Sequence, residues 1–171
     1  RNLFNSATHS IDIESYSFDN NSLAEILRAK AMAGVRVRVL LDGAPSGGVS
    51  DETRYACQLI SSTTDANSGC WFMRSDSANK IHARYKELHA KFVIIDNQLL
   101  VVSSENFGLN GYPADDKTDG TTGHRGVLAF TPAPALVARA RAIFEADFRP
   151  NQRDITRWCP TCSPYGGPST Q

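Results

Sequence analysis

A chain of 171 residues with 41% hydrophobic and 21% charged side chains fits one domain with a sizeable core, and nothing in that composition reads as disordered, fibrous or membranous. The 18 basic and 18 acidic side chains cancel, which argues against a strongly nucleic-acid-clamping protein while leaving room for a local basic site around a phosphate. No run approaches the roughly eighteen apolar residues of a transmembrane helix. The opening Arg1-Asn2-Leu3-Phe4-Asn5 is no signal peptide, and without an initiator Met a trimmed chain or a piece of a longer protein is expected.

Residues 3 to 10 read as the end of a helix, followed by a strand with mixed faces from Ser10 to Phe18. Asp19-Asn20-Asn21 breaks that strand. Asn21 or Ser22 is expected to cap a helix in which Leu23, Ile26, Leu27 and Ala31 recur at helical spacing, with Ala33-Gly34 ending it. Val35 to Leu41 then alternates as a strand, so the strand-helix-strand unit is expected to be parallel. The Pro- and Gly-containing stretch Ala44 to Ser50 lies at the carboxyl end of that strand, where α/β sheets place ligand contacts. It lacks the Gly-Lys-Ser/Thr ending of a P-loop, so nucleoside triphosphate binding is not expected.

A helix from Asp51 to about Ser61 and a loop from Ser62 to Gly69 lead to a short strand at Cys70-Trp71-Phe72-Met73. The polar segment Arg74 to Leu88 feeds a hairpin, His89 to Asp96 and Leu99 to Val102, which ends in Ser103-Ser104-Glu105-Asn106. Phe107 to His124 holds four glycines and three aspartates without apolar periodicity, and reads as a long mobile loop of the lid or substrate-contact kind. Arg125 to Phe130 is a further strand. Pro132 or Pro134 opens a helix whose inner face is predicted to be Leu136, Ala140, Ile143 and Phe144. Residues 149 to 171, with four prolines and Gly166-Gly167, read as a tail or linker following a domain of residues 1 to 148.

Cys57, Cys70, Cys159 and Cys162 admit three readings: buried or free thiols, disulfides of an extracytoplasmic protein, or a zinc site built around the Cys159-Pro160-Thr161-Cys162 knuckle. The compartment stays open on this count.

In an extended strand alternate side chains share a face, so His89 and Lys91 point one way while Ala90, Phe92 and Ile94 point the other. Taken singly, His89 reads as a surface histidine, Lys91 as a solvated charge, and Ser104 or Asn106 as turn formers. Their joint spacing reverses that reading. His-x-Lys, four residues, Asp, then Ser-x-Asn resembles the signature of the phospholipase D superfamily, the HKD phosphodiesterases, through His89, Lys91, Asp96, Ser104 and Asn106. The family usually has Gly where Ser103 stands. The similarity runs from about Ser6 to Phe148 and implies an α/β domain, a mixed, mostly parallel sheet with helices on both faces.

The resemblance implies that His89 attacks phosphorus to give a phosphohistidine, Lys91 and Asn106 act with it, and Ser104 and Asp96 bind phosphate or support the loop. Ser103, Glu105 and His124 are candidate substrate contacts, whereas His9 and His82 read as surface histidines. It implies no cofactor and no metal. The substrate is a phosphodiester, with a phospholipid headgroup favoured over DNA or RNA, and an alcohol acceptor in place of water would give transfer. Many relatives carry an acid near the position of Gly126 that orients the histidine, so Glu14 or Glu105 is a candidate replacement. The mechanism needs two histidines, yet the chain has one His-x-Lys. A homodimer or a second HKD half is therefore expected. A degenerate module that only holds phosphate competes with the enzyme reading. A Ser-His-Asp hydrolase lacks its Gly-x-Ser-x-Gly elbow.

Overall fold

The hydrophobic alternation of Ile11 and Ile13, both fully buried, places the first strand in the middle of the molecule. A computed structural model describes residues 1–73, 85–113, 123–149 and 155–167. After a short helix α1 (Asn2–Ser6) come β1 (Ser10–Ser15), α2 (Asn21–Met32), β2 (Arg36–Asp42), α3 (Asp51–Ser61) and β3 (Gly69–Met73). They are followed by β4 (Lys91–Ile95), β5 (Leu99–Ser103), β6 (Leu128–Thr131), α4 (Pro134–Asp147) and β7 (Ile155–Arg157). The seven strands form one sheet in the order β6-β5-β4-β1-β2-β3-β7.

The sheet is mixed and helices cover both faces, as the resemblance implied. Its parallel part is smaller than expected, for only β1–β2 and β2–β3 pair in parallel. The β1–β4, β4–β5, β5–β6 and β3–β7 pairs are antiparallel, and of these only β4–β5 is closed by a tight turn. Strands β1 to β3 bury every residue but Arg36, as a sheet covered on both faces requires.

Local chemistry sets the helix ends. Asn20, one residue before the predicted caps, accepts from the Leu23 amide at 3.0 Å, and Gly34 with φ +88° ends the turn after α2. In α3 the Ser50 hydroxyl accepts from the Thr53 amide at 3.1 Å, and Asp51 and Glu52 lie at the positive end of the helix dipole. On one face of the sheet, α1, α2 and α3 enclose a core that includes Phe18, Leu27, Ile60 and Phe107. On the other, α4 packs through Val137, Ala140 and Phe144 onto Leu40, Trp71, Ile94 and Leu100. Of the predicted inner face, Ala140 and Phe144 are buried, whereas Leu136 and Ile143 are exposed and Val137 takes a core position in their place, because neighbouring apolar residues satisfy the same helical period.

The segment after α4 is not the free tail predicted. Ile155 pairs with Met73, Trp158 is buried and its amide donates to the Cys70 carbonyl at 2.9 Å. Tyr165 stacks on Phe72 at 4.7 Å and donates to the Gly43 carbonyl at 2.9 Å. A Cβ at Gly43 would lie 2.7 Å from that phenol oxygen, so a glycine lets the segment close down. Apolar anchors outweigh the Pro and Gly content. Cys159 and Cys162 form a disulfide, while Cys57 and Cys70 are free and buried, so the four sulfurs do not converge as a zinc site.

Candidate active site

The entry to β4 and the exit from β5 lie side by side because the hairpin is antiparallel, with Phe92 opposite Val102. This brings His89 and Lys91 next to the Ser103–Asn106 turn, which follows in sequence by more than ten residues. Lys91 also lies opposite Ser15 at the carboxyl end of β1. Asp42 at the end of β2 accepts from the Leu88 amide at 2.6 Å and so fixes the backbone that delivers His89. Tyr16 meets the His89 ring edge-on, with centroids 5.0 Å apart. Neither Asp42 nor Tyr16 is visible as a site residue in the sequence, because each reaches the histidine only through the fold.

His89, Lys91, Ser104, Glu105, Asn106 and His124 line one cavity of about 570 Å³, together with Asp19, Glu52 and the 108–111 turn. Lys91 Nζ lies 3.4 Å from each ring nitrogen of His89 and donates to the His89 carbonyl at 3.0 Å. Burial lowers the ammonium's pKa, and the negative charge of Glu105 partly opposes that shift. Ser104 Oγ accepts from the Val127 amide at 2.9 Å, which ties the turn to the approach of β6. The Asn106 side-chain oxygen is buried without a hydrogen-bond partner among the described residues.

The cavity's far wall is held from below. Phe107 stacks on Phe18 and Tyr112, and the amides of Asp19 and Asn20 donate to the Phe107 carbonyl at 3.2 and 3.1 Å. The described start of the predicted mobile loop is therefore a packed turn with a buried aromatic anchor. Residues 114–122 of that loop, and His82, lie outside the described residues. Asp19 sits against Gly108, and one of its carboxylate oxygens is buried without a partner among the described residues. Burial pushes the Asp19 carboxyl above the usual carboxylate range, against a hydrogen bond to its own amide, and Glu52 adds to the rise.

Three of the remaining candidates separate. Ser103 Oγ donates to the Glu105 carbonyl at 3.0 Å and accepts from the Glu105 amide at 2.9 Å, so it organises the turn and does not line the cavity. Asp96 lies at the opposite end of the hairpin with φ 52°, and accepts from the amides of Thr8, His9 and Ser10 at 2.9, 2.7 and 2.8 Å. Burial alone would raise its carboxyl, yet these bonds outweigh it and hold the pKa down at about 2. Asp96 is thus a clamp on the start of β1, away from the cavity. Glu14 is buried on the face opposite Lys91, in register with Phe92.

Among the described residues no group of three or more His, Cys, Asp or Glu side chains is placed to hold a metal ion. The arrangement offers a nitrogen nucleophile, a fixed cation and amide and hydroxyl dipoles around a common space, the elements that phosphoryl transfer requires.

A family model described as "Cardiolipin synthase, PLD-like domain" matches residues 1–148. Among solved structures, NucT from Helicobacter pylori superposes with a TM-score of 0.64 at 18% identity, over 85% of this chain and 82% of that one. Nuc from Salmonella typhimurium, described as a phospholipase D family member, gives 0.61 at 22% identity over 91% and 86%. Phosphatidylserine synthase of Haemophilus influenzae gives 0.53 at 16% identity over 91% of this chain but 35% of the synthase. A search of curated proteins gives no match.

Proposed function

The chain belongs to the phospholipase D-like family, and on that premise we propose that it is a phosphodiesterase in which His89 is the nucleophile. The observation that carries this is the convergence of His89, Lys91, Ser104 and Asn106 on one cavity from two separate stretches of chain. A ring nitrogen of His89 forms a bond to phosphorus as the bond to the leaving oxygen breaks. Lys91 and the Asn106 amide bind the non-bridging oxygens, where charge builds in the transition state. Water then attacks the phosphohistidine, and an alcohol in place of water gives transfer.

A phospholipid headgroup suits the surroundings better than a nucleic acid. Beside Lys91 the described walls carry three carboxylates, Asp19, Glu52 and Glu105, which repel a chain of phosphates and match an ammonium on the leaving group. The unpartnered oxygen of Asp19 strengthens that match. The alternative is an endonuclease, and an inactive phosphate-binding module is the bland reading. The leaving oxygen also needs a proton. A second copy is one source of it, for Val127, Leu128 and Phe130 are exposed along edge strand β6 beside the cavity and offer an apolar surface for a homodimer.

The test is turnover of bis-p-nitrophenyl phosphate by wild type and His89→Ala, with phosphatidylethanolamine vesicles, plasmid DNA and single-stranded RNA as parallel substrates. His89-dependent turnover that is unaffected by a chelator, with vesicles cleaved faster than either nucleic acid, is expected. Equal turnover in both proteins would remove His89 from the mechanism, and faster cleavage of DNA or RNA would replace the headgroup reading.

A further inference from the structure

A nucleophile works only while its ring is aimed at the reacting atom, and the His89 side chain is exposed. Lys91 does not aim it. The ammonium lies 3.4 Å from each ring nitrogen, and the lone pairs of those nitrogens diverge in the ring plane, so it sits over the ring and in line with neither. Among the described residues no other group hydrogen-bonds to the imidazole. The oriented contact that the ring does have is with Tyr16, at a centroid distance of 5.0 Å and an inclination of 64°.

Tyr16 is itself held at both ends. Its backbone continues from Ser15, which lies opposite Lys91. Its hydroxyl accepts from the Ser46 amide at 2.5 Å, in the loop between β2 and α3. In that loop the Gly48 amide donates to the Pro45 carbonyl at 2.8 Å and Gly47 has φ +86°, which makes a type II turn with Ser46 in its second place. At the start of the loop one Asp42 oxygen accepts from the Ala44 amide at 2.6 Å, and the other accepts from the Leu88 amide at 2.6 Å. One carboxylate thus ties the support of Tyr16 to the backbone that carries His89.

We infer that Tyr16 is the positioning residue of the nucleophile and that Ser46 anchors it, so that the loop between β2 and α3 sets the aim of the His89 ring. This rests on the phosphodiesterase reading of His89 and adds what holds that ring on line. Tyr16 does not line the cavity, and so it acts through the histidine. The step it serves is the first one. The lone pair of a ring nitrogen becomes the N–P bond, and with a p-nitrophenyl ester the electron pair of the broken P–O bond leaves on p-nitrophenolate, which needs no proton.

Two substitutions cut the same link from opposite sides. Tyr16→Phe keeps the ring and removes the hydroxyl. Ser46→Pro removes the amide hydrogen, at a place in a type II turn that favours proline. Each should slow the saturating rate of first p-nitrophenolate release from bis-p-nitrophenyl phosphate by about tenfold, with the half-saturating concentration held within about twofold. The double variant should be no slower than either single one, because both remove one shared bond. Tyr16→Leu, which removes the ring, should be slower by about 100-fold. In the absence of substrate its nitrogen-15 imidazole spectrum should show the His89 resonances broadened by exchange, with circular dichroism confirming the fold of every variant. Additive losses in the double variant would overturn the inference, because hydroxyl and loop would then act separately. A raised half-saturating concentration at a constant rate would overturn it in favour of a substrate contact. Wild-type rates and sharp His89 resonances in Tyr16→Leu would remove Tyr16 altogether. If His89→Ala turns over as wild type does, the underlying reading falls, and the substrate-free spectrum still decides whether Tyr16 holds the ring.

Discussion

Two cavities open on opposite faces of the sheet. The larger, of about 700 Å³, is lined by Arg36, Arg38, Arg157, Trp71 and Glu145 under α4, and the smaller, of about 570 Å³, holds His89 and Lys91. In the larger one the central charge is already engaged. Arg38 donates to Asp12 at 2.7 Å and to Glu145 at 2.6 Å, with its guanidinium 4.8 Å from the rings of both Phe144 and Phe148. In the smaller one, among the described residues, Lys91 has only the His89 backbone and ring within hydrogen-bonding range, and oxygens of Asp19 and Asn106 lack partners. Cavity size therefore does not mark the site. A group compensated by its neighbours holds the fold together, whereas groups that converge without compensating one another are available to a ligand.

Mutations should separate the two regions cleanly. His89→Ala is expected to reduce turnover by about 10⁴-fold or more, with the melting temperature unchanged because the side chain is exposed. Arg38→Met should do the reverse. It removes the closer partner of Asp12, which is 1% exposed and keeps a 3.3 Å contact to Arg36, so destabilisation by up to about 3 kcal/mol is expected with kcat retained in the folded fraction. Chemical denaturation beside a kinetic assay reads both quantities, and a loss of kcat in Arg38→Met would break the distinction.

Lys91→Met should lower kcat by about 10²- to 10³-fold with little change in stability. Because burial lowers the Lys91 pKa, the alkaline limb of the wild-type pH–rate profile should fall below the ordinary lysine range. Asp96→Asn should cost about 2 kcal/mol of stability at neutral pH through the loss of charge-assisted bonds, and leave kcat near wild type. Its carboxyl is held down at about 2, so the stabilisation is present above the unfolded value of about 3.9 and disappears as pH falls towards 2. Urea titrations of wild type and Asp96→Asn at neutral and acid pH should converge at the acid end.

The same contrast explains what the sequence displayed. His89 and Lys91 were legible because their spacing to Asp96, Ser104 and Asn106 forms one pattern, and helix α3 was placed correctly because Ser50, Asp51 and Glu52 write its start in local chemistry. The inner face of α4 was legible in part: Ala140 and Phe144 are buried as expected, while Val137 lies inside in place of Leu136 and Ile143, since neighbouring apolar residues satisfy the same period. Residues 155–167 were misread because Pro and Gly are local signals of irregular chain, while Ile155, Trp158 and Tyr165 act through partners far away in sequence. Glu105 and His124 were legible one by one as candidate contacts, but their pairing depends on a turn closing over Gly126, which no local pattern displays.

The central claim is that His89 bonds to phosphorus, and trapping that bond tests it most directly. Wild-type protein quenched within the first turnover of bis-p-nitrophenyl phosphate, then digested and mapped by mass spectrometry, should carry the retained half of the diester on the peptide containing His89, through an acid-labile linkage. His89→Ala should carry none. An adduct on another residue, or steady turnover in the variant at the wild-type rate, would contradict the account.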